Sequence, residues 1–451
     1  MRKDSFQLDA IREAFSYRNR FAGRTMVFKI DFPLTGDPAF PFLMRDLALV
    51  AKSSCRVVIV PGAKEWIDAV LEEYGIVSEY AESGCAGENR ITTGAAIRFV
   101  EMAAFHVATR FMTGLSVDRV DAVIGNFVRA RGLGVVNGVD MEHTGRVDKI
   151  FTESITRILD QGMIPILPCI GWSPAGRPYN VPGDEIALAA ASALGAVKLF
   201  IVSAHAGIRQ ENYRIPAGIA VDGTGRVGNL TPQETEAVLA ENRFRFPGGG
   251  GLHTDKPLRD LRLALRASRA GVDRVHLIDG RESGILLREL FSNRGAGIMV
   301  YRDEYESIRS LKSQDIPDIL RIMEPLMARG ALIRRNSEDI QDKKEDYVVF
   351  EIDGSIHACG ALHDWGEGQG EIAAIATDTV YADMGLGRRI VNYLIDRAGK
   401  QGLRRVFVLT TGTRDWFESL GFTESPVESL PPEKQQKYDR ARKSKVFARE
   451  L

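Results

Sequence analysis

The chain has 451 residues, more than one hydrophobic core ordinarily organises, so two or three domains are expected before any motif is read. With 59 Lys and Arg against 60 Asp and Glu, the formal net charge of −1 provides no field to gather nucleic acid or an anionic membrane surface. The start, Met-Arg-Lys-Asp-Ser-Phe, lacks the apolar segment of a signal peptide, no apolar run reaches bilayer length, and the expected location is the cytoplasm. Cys55, Cys85, Cys169 and Cys359 are scattered without Cys-x-x-Cys spacing and the seven histidines are equally dispersed, so neither a disulfide framework nor a metal site is expected.

In chain order, Ser5 to Phe21 reads as an amphipathic helix with apolar Phe6, Leu8, Ile11 and Phe15. From about residue 24 to 300, short β-rich runs alternate with amphipathic stretches, the pattern of a sheet covered by helices on both faces. The strands are Met26 to Ile30, Arg56 to Val60, Val120 to Ile124, Ile164 to Pro168, Lys198 to Ser203 and Arg274 to Ile278. The helices are Glu65 to Tyr74, Asp184 to Leu194, Pro257 to Arg269 and Glu282 to Phe291. Pro247-Gly248-Gly249-Gly250-Gly251 is a loop, and Asp222 to Lys256 yields no assignment.

A polar stretch, Tyr301 to Ser307, separates a second pattern, which divides the chain into domains 1–307 and 308–451. Tyr347 to Ile352 and His357 to Leu362 flank Asp353-Gly354, a hairpin signal. Glu371 to Thr377 is a third strand, followed by Gly385-Leu386-Gly387-Arg388-Arg389 and a helix with its apolar stripe at Ile390, Val391, Leu394, Ile395 and Ala398. A strand feeding a glycine turn that opens a helix aims several backbone N–H groups at one point, which suits a pyrophosphate. Arg404 to Thr410 is the next strand, Asp415 to Phe422 a short helix ending in Gly-Phe, and Ser444 to Phe447 a last strand.

The stretch from about 308 to 451 resembles the GNAT acetyltransferase superfamily, although Met384 and Arg389 depart from its Arg/Gln-x-x-Gly-x-Gly/Ala turn. The resemblance implies acetyl-CoA as cosubstrate, with Ile375 and Ala376 holding its pantetheine arm and acetyl carbonyl. It also implies that the amides of Gly385, Leu386, Gly387, Arg388 and Arg389 hold the pyrophosphate. Phe417 stands where the family often has a tyrosine to protonate the leaving thiolate. An amine must be neutral to attack a thioester, and Glu371, at the start of the strand, is the candidate base.

Seven phrases in order resemble the bacterial N-acetylglutamate synthase family over nearly the whole chain. They include Gly138-Val139-Asp140-x-x-His143-Thr144-Gly145, His276-Leu277-Ile278, Leu286-Leu287-x-Glu289-Leu290-Phe291, Gly370-Glu371-Ile372-Ala373 and Arg442-Lys443-Ser444-Lys445-Val446. The implied architecture is α/β throughout: a three-layer αβα amino-acid-kinase-like domain followed by a mixed α/β GNAT domain. The implied activity is acetyl transfer to L-glutamate, the first step of arginine biosynthesis. Arg335, Thr411, Arg442 and Lys445 are then the residues expected to grip the acceptor, because arginine forks suit carboxylates.

The resemblance also implies an L-arginine effector site at His276, Glu289, Gly295 and Gly297, and a homo-oligomer. Lys29 stands where a kinase of that fold binds phosphate, but Ile30-Asp31-Phe32 replaces its glycines and Pro182 disturbs its second signature, which retains Asp184. A regulatory, kinase-inactive first domain is therefore expected. The alternatives are a bifunctional synthase and kinase, and an arginine-sensing protein with a degenerate transferase domain.

Overall fold

The computed structural model describes residues 21–82, 88–217, 219, 221–243, 255–291, 296–302, 306–352, 355–378 and 385–451. The chain divides into two compact units, Met1–Arg302 and Asp303–Leu451. The expected N-terminal helix lies outside the described residues, as do the Asp353-Gly354 turn and the Gly248–Gly251 loop.

The first unit is built on an eight-stranded sheet. Its strands are β1 (Thr25–Ile30), β2 (Arg56–Pro61), β3 (Ala122–Ile124), β4 (Ile164–Ile166), β5 (Lys198–Ser203), β6 (Asn229–Leu230), β7 (Arg274–Asp279) and β8 (Ile298–Tyr301). They lie in the order β6-β8-β7-β5-β1-β2-β4-β3. Every pair is parallel except β7 with β8.

A parallel sheet must be covered on both faces, and every residue of β1 and β5 is buried. Alternation sends Met26, Phe28 and Ile30 into one core, against α1 (Phe40–Lys52) and α2 (Ile97–Val117). Val27 and Ile201 enter a second core, against α3 (Gly183–Ala193) and α4 (Lys256–Arg269). The result is the three-layer αβα sandwich that the sequence pattern implied. The segment Asp222 to Lys256, which the sequence left unassigned, supplies β6 and the helix Pro232–Glu241, whose N-terminus is closed by a Thr231–Glu234 capping box. Helix α5 (Ile285–Phe291) begins three residues later than expected, after Gly284 at φ +72°.

The second unit is a seven-stranded sheet of β9 (Glu306–Ser310), β10 (Tyr347–Ile352), β11 (Ser355–Asp364), β12 (Gln369–Thr377), β13 (Arg405–Thr410), β14 (Thr423–Ser425) and β15 (Lys445–Glu450). The order is β9-β10-β11-β12-β13-β15-β14, antiparallel except for β12 with β13. Because β9 pairs with β10, the stretch read as a polar separator contributes an edge strand, and this unit begins a few residues before 307.

Helix α6 (Ile316–Ala328) packs Ile319, Ile322 and Met323 on one face of this sheet with Tyr347, Val349 and Cys359. Helix α7 (Leu386–Lys400) packs Ile390, Val391 and Leu394 on the other with Val348, Phe350 and Phe447. A Cβ on Gly360 would lie 2.6 Å from Ile390 Cγ2, so glycine there sets how closely α7 approaches β11.

Across the first sheet the register places Phe28, Phe200 and His276 side by side, with successive rings stacked at 4.7 Å. Removing the middle ring opens a cavity that backbone in three paired strands cannot close. Phe200→Ala should therefore lower unfolding free energy by about 3–5 kcal/mol, read from chemical denaturation of the first unit's transition.

Candidate active site

Strands β12 and β13 exchange hydrogen bonds only where Gln369, Gly370 and Glu371 face Arg405, Val406 and Phe407. Beyond that point β12 continues to Thr377 and β13 to Thr410 as unpaired neighbours. The divergence coincides with a bulge: the β11–β12 register slips between Cys359 and Ala361, and Ala374 adopts φ +54°. A non-glycine residue there stores on the order of 1–3 kcal/mol of strain, a cost found at ligand clamps. Ile375 and Ala376 follow the bulge directly. The opening between the strands exposes main-chain donors and acceptors to an amide-bearing arm.

Helix α7 opens next to this cleft in the chain. Gly385 is its N-cap at φ +71°, ψ 14°, a conformation that disfavours any side chain. The first intrahelical bond runs from the N–H of Arg389 to the carbonyl of Gly385, so among the described residues the N–H groups of Leu386, Gly387 and Arg388 lack an intrahelical carbonyl, the arrangement that suits an anion. The arginine side chains pack on the protein: Arg388 donates to Ser419 Oγ at 3.2 Å, and the Arg389 guanidinium lies 4.6 Å from the Phe350 ring centre. A Cβ on Gly387 would meet Trp416 at 3.4 Å, an ordinary contact, so only Gly385 is demanded by the fold itself. Met384 lies outside the described residues.

A cavity of about 90 Å³ brings together Glu371, Arg335 and Arg442 with the Ile372–Ala374 edge of β12. Arg335 lies in the connection between α6 and the short helix Ser337–Gln341, rather than in a helix, and donates to the Ile333 carbonyl at 3.1 Å. Arg442 reaches the Gly330 carbonyl at 2.9 Å, which ties the two arginine-bearing loops to each other. Tyr438 and Ser444 share the lining, and the Tyr438 hydroxyl donates to the Ser444 carbonyl.

Two expected acceptor residues are not part of this lining. Lys445 pairs with Glu424 at 2.9 Å, and Thr411 is exposed past the end of β13. Lys445 opens β15, and its ammonium is engaged by Glu424 on β14.

Glu371 is 6% exposed and is not a solvated strand-end carboxylate. Lys434 Nζ lies 2.7 Å from its Oε1 and 2.6 Å from Oε2, and Trp365 Nε1 donates to Oε2 at 2.9 Å. Sequence reasoning missed both partners. Lys434 follows Pro431-Pro432-Glu433 in a segment with no motif, and Trp365 sits in a turn before β12. Phe417 is buried against Trp416 and Phe422, an aromatic core position with no proton to give.

In the first unit, Lys29 Nζ lies 2.6 Å from Asp31 and 2.9 Å from Asp184, and Lys256 lies 2.8 Å from Asp31 and also bonds Asp260. Burial alone would lower Lys29, but the carboxylates of Asp184, Asp31 and Asp260 outweigh it and hold the ammonium well above its ordinary value. Lys29, Asp31 and Asp184 line a cavity of about 160 Å³. Asp31, which replaces a glycine of the kinase pattern, thus serves as an internal counter-ion where a phosphate would need open cations.

The expected effector residues are brought together in part. His276 Nδ1 lies 2.6 Å from Glu289 Oε1, and Glu289 Oε2 accepts the N–H of Ala296 and, at 2.9 Å, that of Gly297. Gly295 lies outside the described residues. Burial pushes His276 down to about 4 against the pull of Glu289. Burial would raise Glu289, but the bonds from His276, Ala296 and Gly297 hold it at about 2. The pair is therefore a neutral imidazole donating to a carboxylate, which also suits a buried Nε2 with no partner among the described residues. Among the described residues, no cluster of three or more His, Cys, Asp or Glu could hold a metal ion, and no helix is long and apolar enough to cross a membrane.

The amino acid kinase family model matches residues 34–217 and the acetyltransferase (GNAT) family model residues 316–422. An amino-acid acetyltransferase of Pseudomonas fluorescens (strain SBW25) is 33% identical over 453 residues, covering 98% of each chain. The N-acetylglutamate synthase of Neisseria gonorrhoeae, solved with coenzyme A and L-arginine, is similar with a TM-score of 0.82 at 29% identity, covering 98% of this chain and 99% of that one. The same enzyme with coenzyme A and N-acetyl-glutamate gives 0.60 at 30%, with the same coverage.

Because the imidazole is neutral when buried and gains a proton near 6.5 when unfolded, acid favours the unfolded chain. Stability of the first unit should fall as pH drops from about 6.5 towards 4, and Glu289 should extend the loss below about 4.5. Melting temperature against pH would read this, and His276→Asn, which keeps a donor near Nδ1, should flatten the upper part of the decline.

Proposed function

Since the chain belongs to the amino-acid acetyltransferase family, we propose that it is an acetyl-CoA:L-glutamate N-acetyltransferase in which Glu371 is the base. The observation that carries the reading is the cavity where Glu371 meets Arg335 and Arg442 beside the open edge of β12. A base, two carboxylate-binding cations and an amide-binding cleft are what transfer to an acidic amino acid requires.

Acetyl-CoA lies with its pantetheine arm between β12 and β13 and its pyrophosphate on the N–H groups that open α7. The main chain at Ile375 and Ala376 holds the arm and polarises the acetyl carbonyl. Arg335 and Arg442 bind the acceptor's carboxylates, so its amine faces Glu371. The amine gives one proton to Glu371, directly or through one water, and its nitrogen then bonds to the thioester carbon. The tetrahedral adduct collapses, the C–S bond breaks, and coenzyme A leaves as a thiolate; the second proton of the attacking nitrogen passes to that thiolate, directly or through solvent. Transfer is direct, without an acyl-enzyme: the amine bonds to the thioester carbon itself.

The first unit then serves regulation rather than phosphoryl transfer, a reading supported by the ion pairs that occupy Lys29. The Neisseria relative was solved with L-arginine, and the same effector in this chain would draw on Glu289 and the backbone near Gly297. Placement in arginine biosynthesis, a cytoplasmic location and a homo-oligomer complete the proposal. An arginine sensor with a dead transferase domain is disfavoured by an open Glu371 cavity.

Thiol release from acetyl-CoA across a panel of amino acids should be specific for glutamate. Glu371→Gln should lower kcat by about 10²-fold, within the range of general-base losses. Arg442→Ala should mainly raise the KM for glutamate, by about tenfold or more, as the loss of a charge-assisted bond implies. Absence of turnover with every acidic amino acid would overturn the proposal.

A further inference from the structure

A carboxylate offers about four acceptor positions, two on each oxygen. On Glu371, Oε2 takes Lys434 and Trp365, whereas Oε1 takes Lys434 alone. Among the described residues, one acceptor position is thus left on Oε1 of a carboxylate that lines the cavity. We infer that Lys434 is a positioning residue: with Trp365 it fully occupies Oε2 and presents the remaining lone pair of Oε1 to the acceptor amine. This deepens the reading of Glu371 as base and rests on it.

The segment carrying Lys434 is built to hold it. Helix α8 (Pro432–Gln436) starts on Pro431-Pro432, and Gln435 Nε2 donates to the carbonyls of Glu428 at 3.0 Å and Leu430 at 2.7 Å. Lys434 and Lys437 both lie over the Trp365 ring, with Nζ at 4.9 and 5.2 Å from its centre. The side chains of Lys434 and Glu371 are 12% and 9% exposed, so their pairing is shielded from water. A cation that only pinned α8 to the sheet would need one oxygen. Bonding both, with the indole on the same oxygen, fixes the plane of the carboxylate.

The other groups around Glu371 do not duplicate this role. His363, its register partner on β11, is engaged by Asp346 at 2.6 Å, and its partner on β13 is the apolar Phe407. Arg335, Arg442, Lys437 and Asp439 share the cavity, but none of them is bonded to Glu371.

The test compares full-length wild type, Lys434→Met, Lys434→Arg and Glu371→Gln by acetyl-CoA thiol release with glutamate from pH 5.5 to 9. Removing the one ammonium bonded to both oxygens of this carboxylate disfavours its charged form, so Lys434→Met should move the acid limb of kcat/KM up by about one pH unit. It should lower kcat about tenfold with little change in the glutamate KM, a loss at the low end of those seen for general bases. Lys434→Arg should restore most of both, and melting temperatures would verify that each variant is folded.

An unshifted acid limb in a folded Lys434→Met would overturn the inference, as would an effect confined to KM, which would make Lys434 a substrate-binding cation. Failure of the underlying reading looks different: Glu371→Gln would then keep wild-type kcat. Loss of activity in Glu371→Gln with wild-type behaviour in Lys434→Met would remove the inference and leave the base in place.

Discussion

The parting of β12 and β13 after three paired residues is the constraint on which the second unit's site depends. Two parallel strands in mid-sheet would normally satisfy each other's main chain, and separating them leaves donors and acceptors that something must complete. The bulge at Ala374 supplies the bend, at a cost in backbone strain. The strain is borne because β12 is buried between β11 on one side and two helices on its faces. A ligand that adds its own amides to the gap recovers what the sheet gave up. At the closed end of the gap stands Glu371, the last residue of β12 still paired with β13.

The two units treat buried charge in opposite ways. Around Lys29 the carboxylates of Asp31 and Asp184 are matched within the protein, and Lys256 adds a second ammonium to Asp31. Separating these pairs would cost the attraction they make in low dielectric. Around Glu371 the arginines of the cavity are held differently: Arg335 and Arg442 donate to main-chain carbonyls rather than to carboxylates.

His276 and Glu289 lie between these extremes. The imidazole continues an aromatic stack, donates one proton to a carboxylate, and leaves Nε2 without a partner among the described residues. Glu289 simultaneously closes the loop at Ala296 and Gly297.

The sequence alone determined much of this. Unbroken β-rich runs such as Met26 to Ile30 can be stable only between two helical layers, and the Ile390, Val391, Leu394 stripe can face only a sheet, so the αβα unit and the α7 packing were legible from periodicity. Gly385 was legible because left-handed backbone ahead of a helix calls for glycine. Tertiary structure decided what periodicity cannot express. Lys434 is 63 residues from Glu371 and sits in a segment without pattern, and Trp365 is recognisable as its companion only once the turn before β12 is folded. Likewise Lys445, grouped with Arg442 by sequence, pairs with Glu424 and is not part of the cavity lining. Local periodicity records which face a residue takes, because that is set by its immediate neighbours. Which charges meet is set by how distant segments close on one another, and that information is held in the fold.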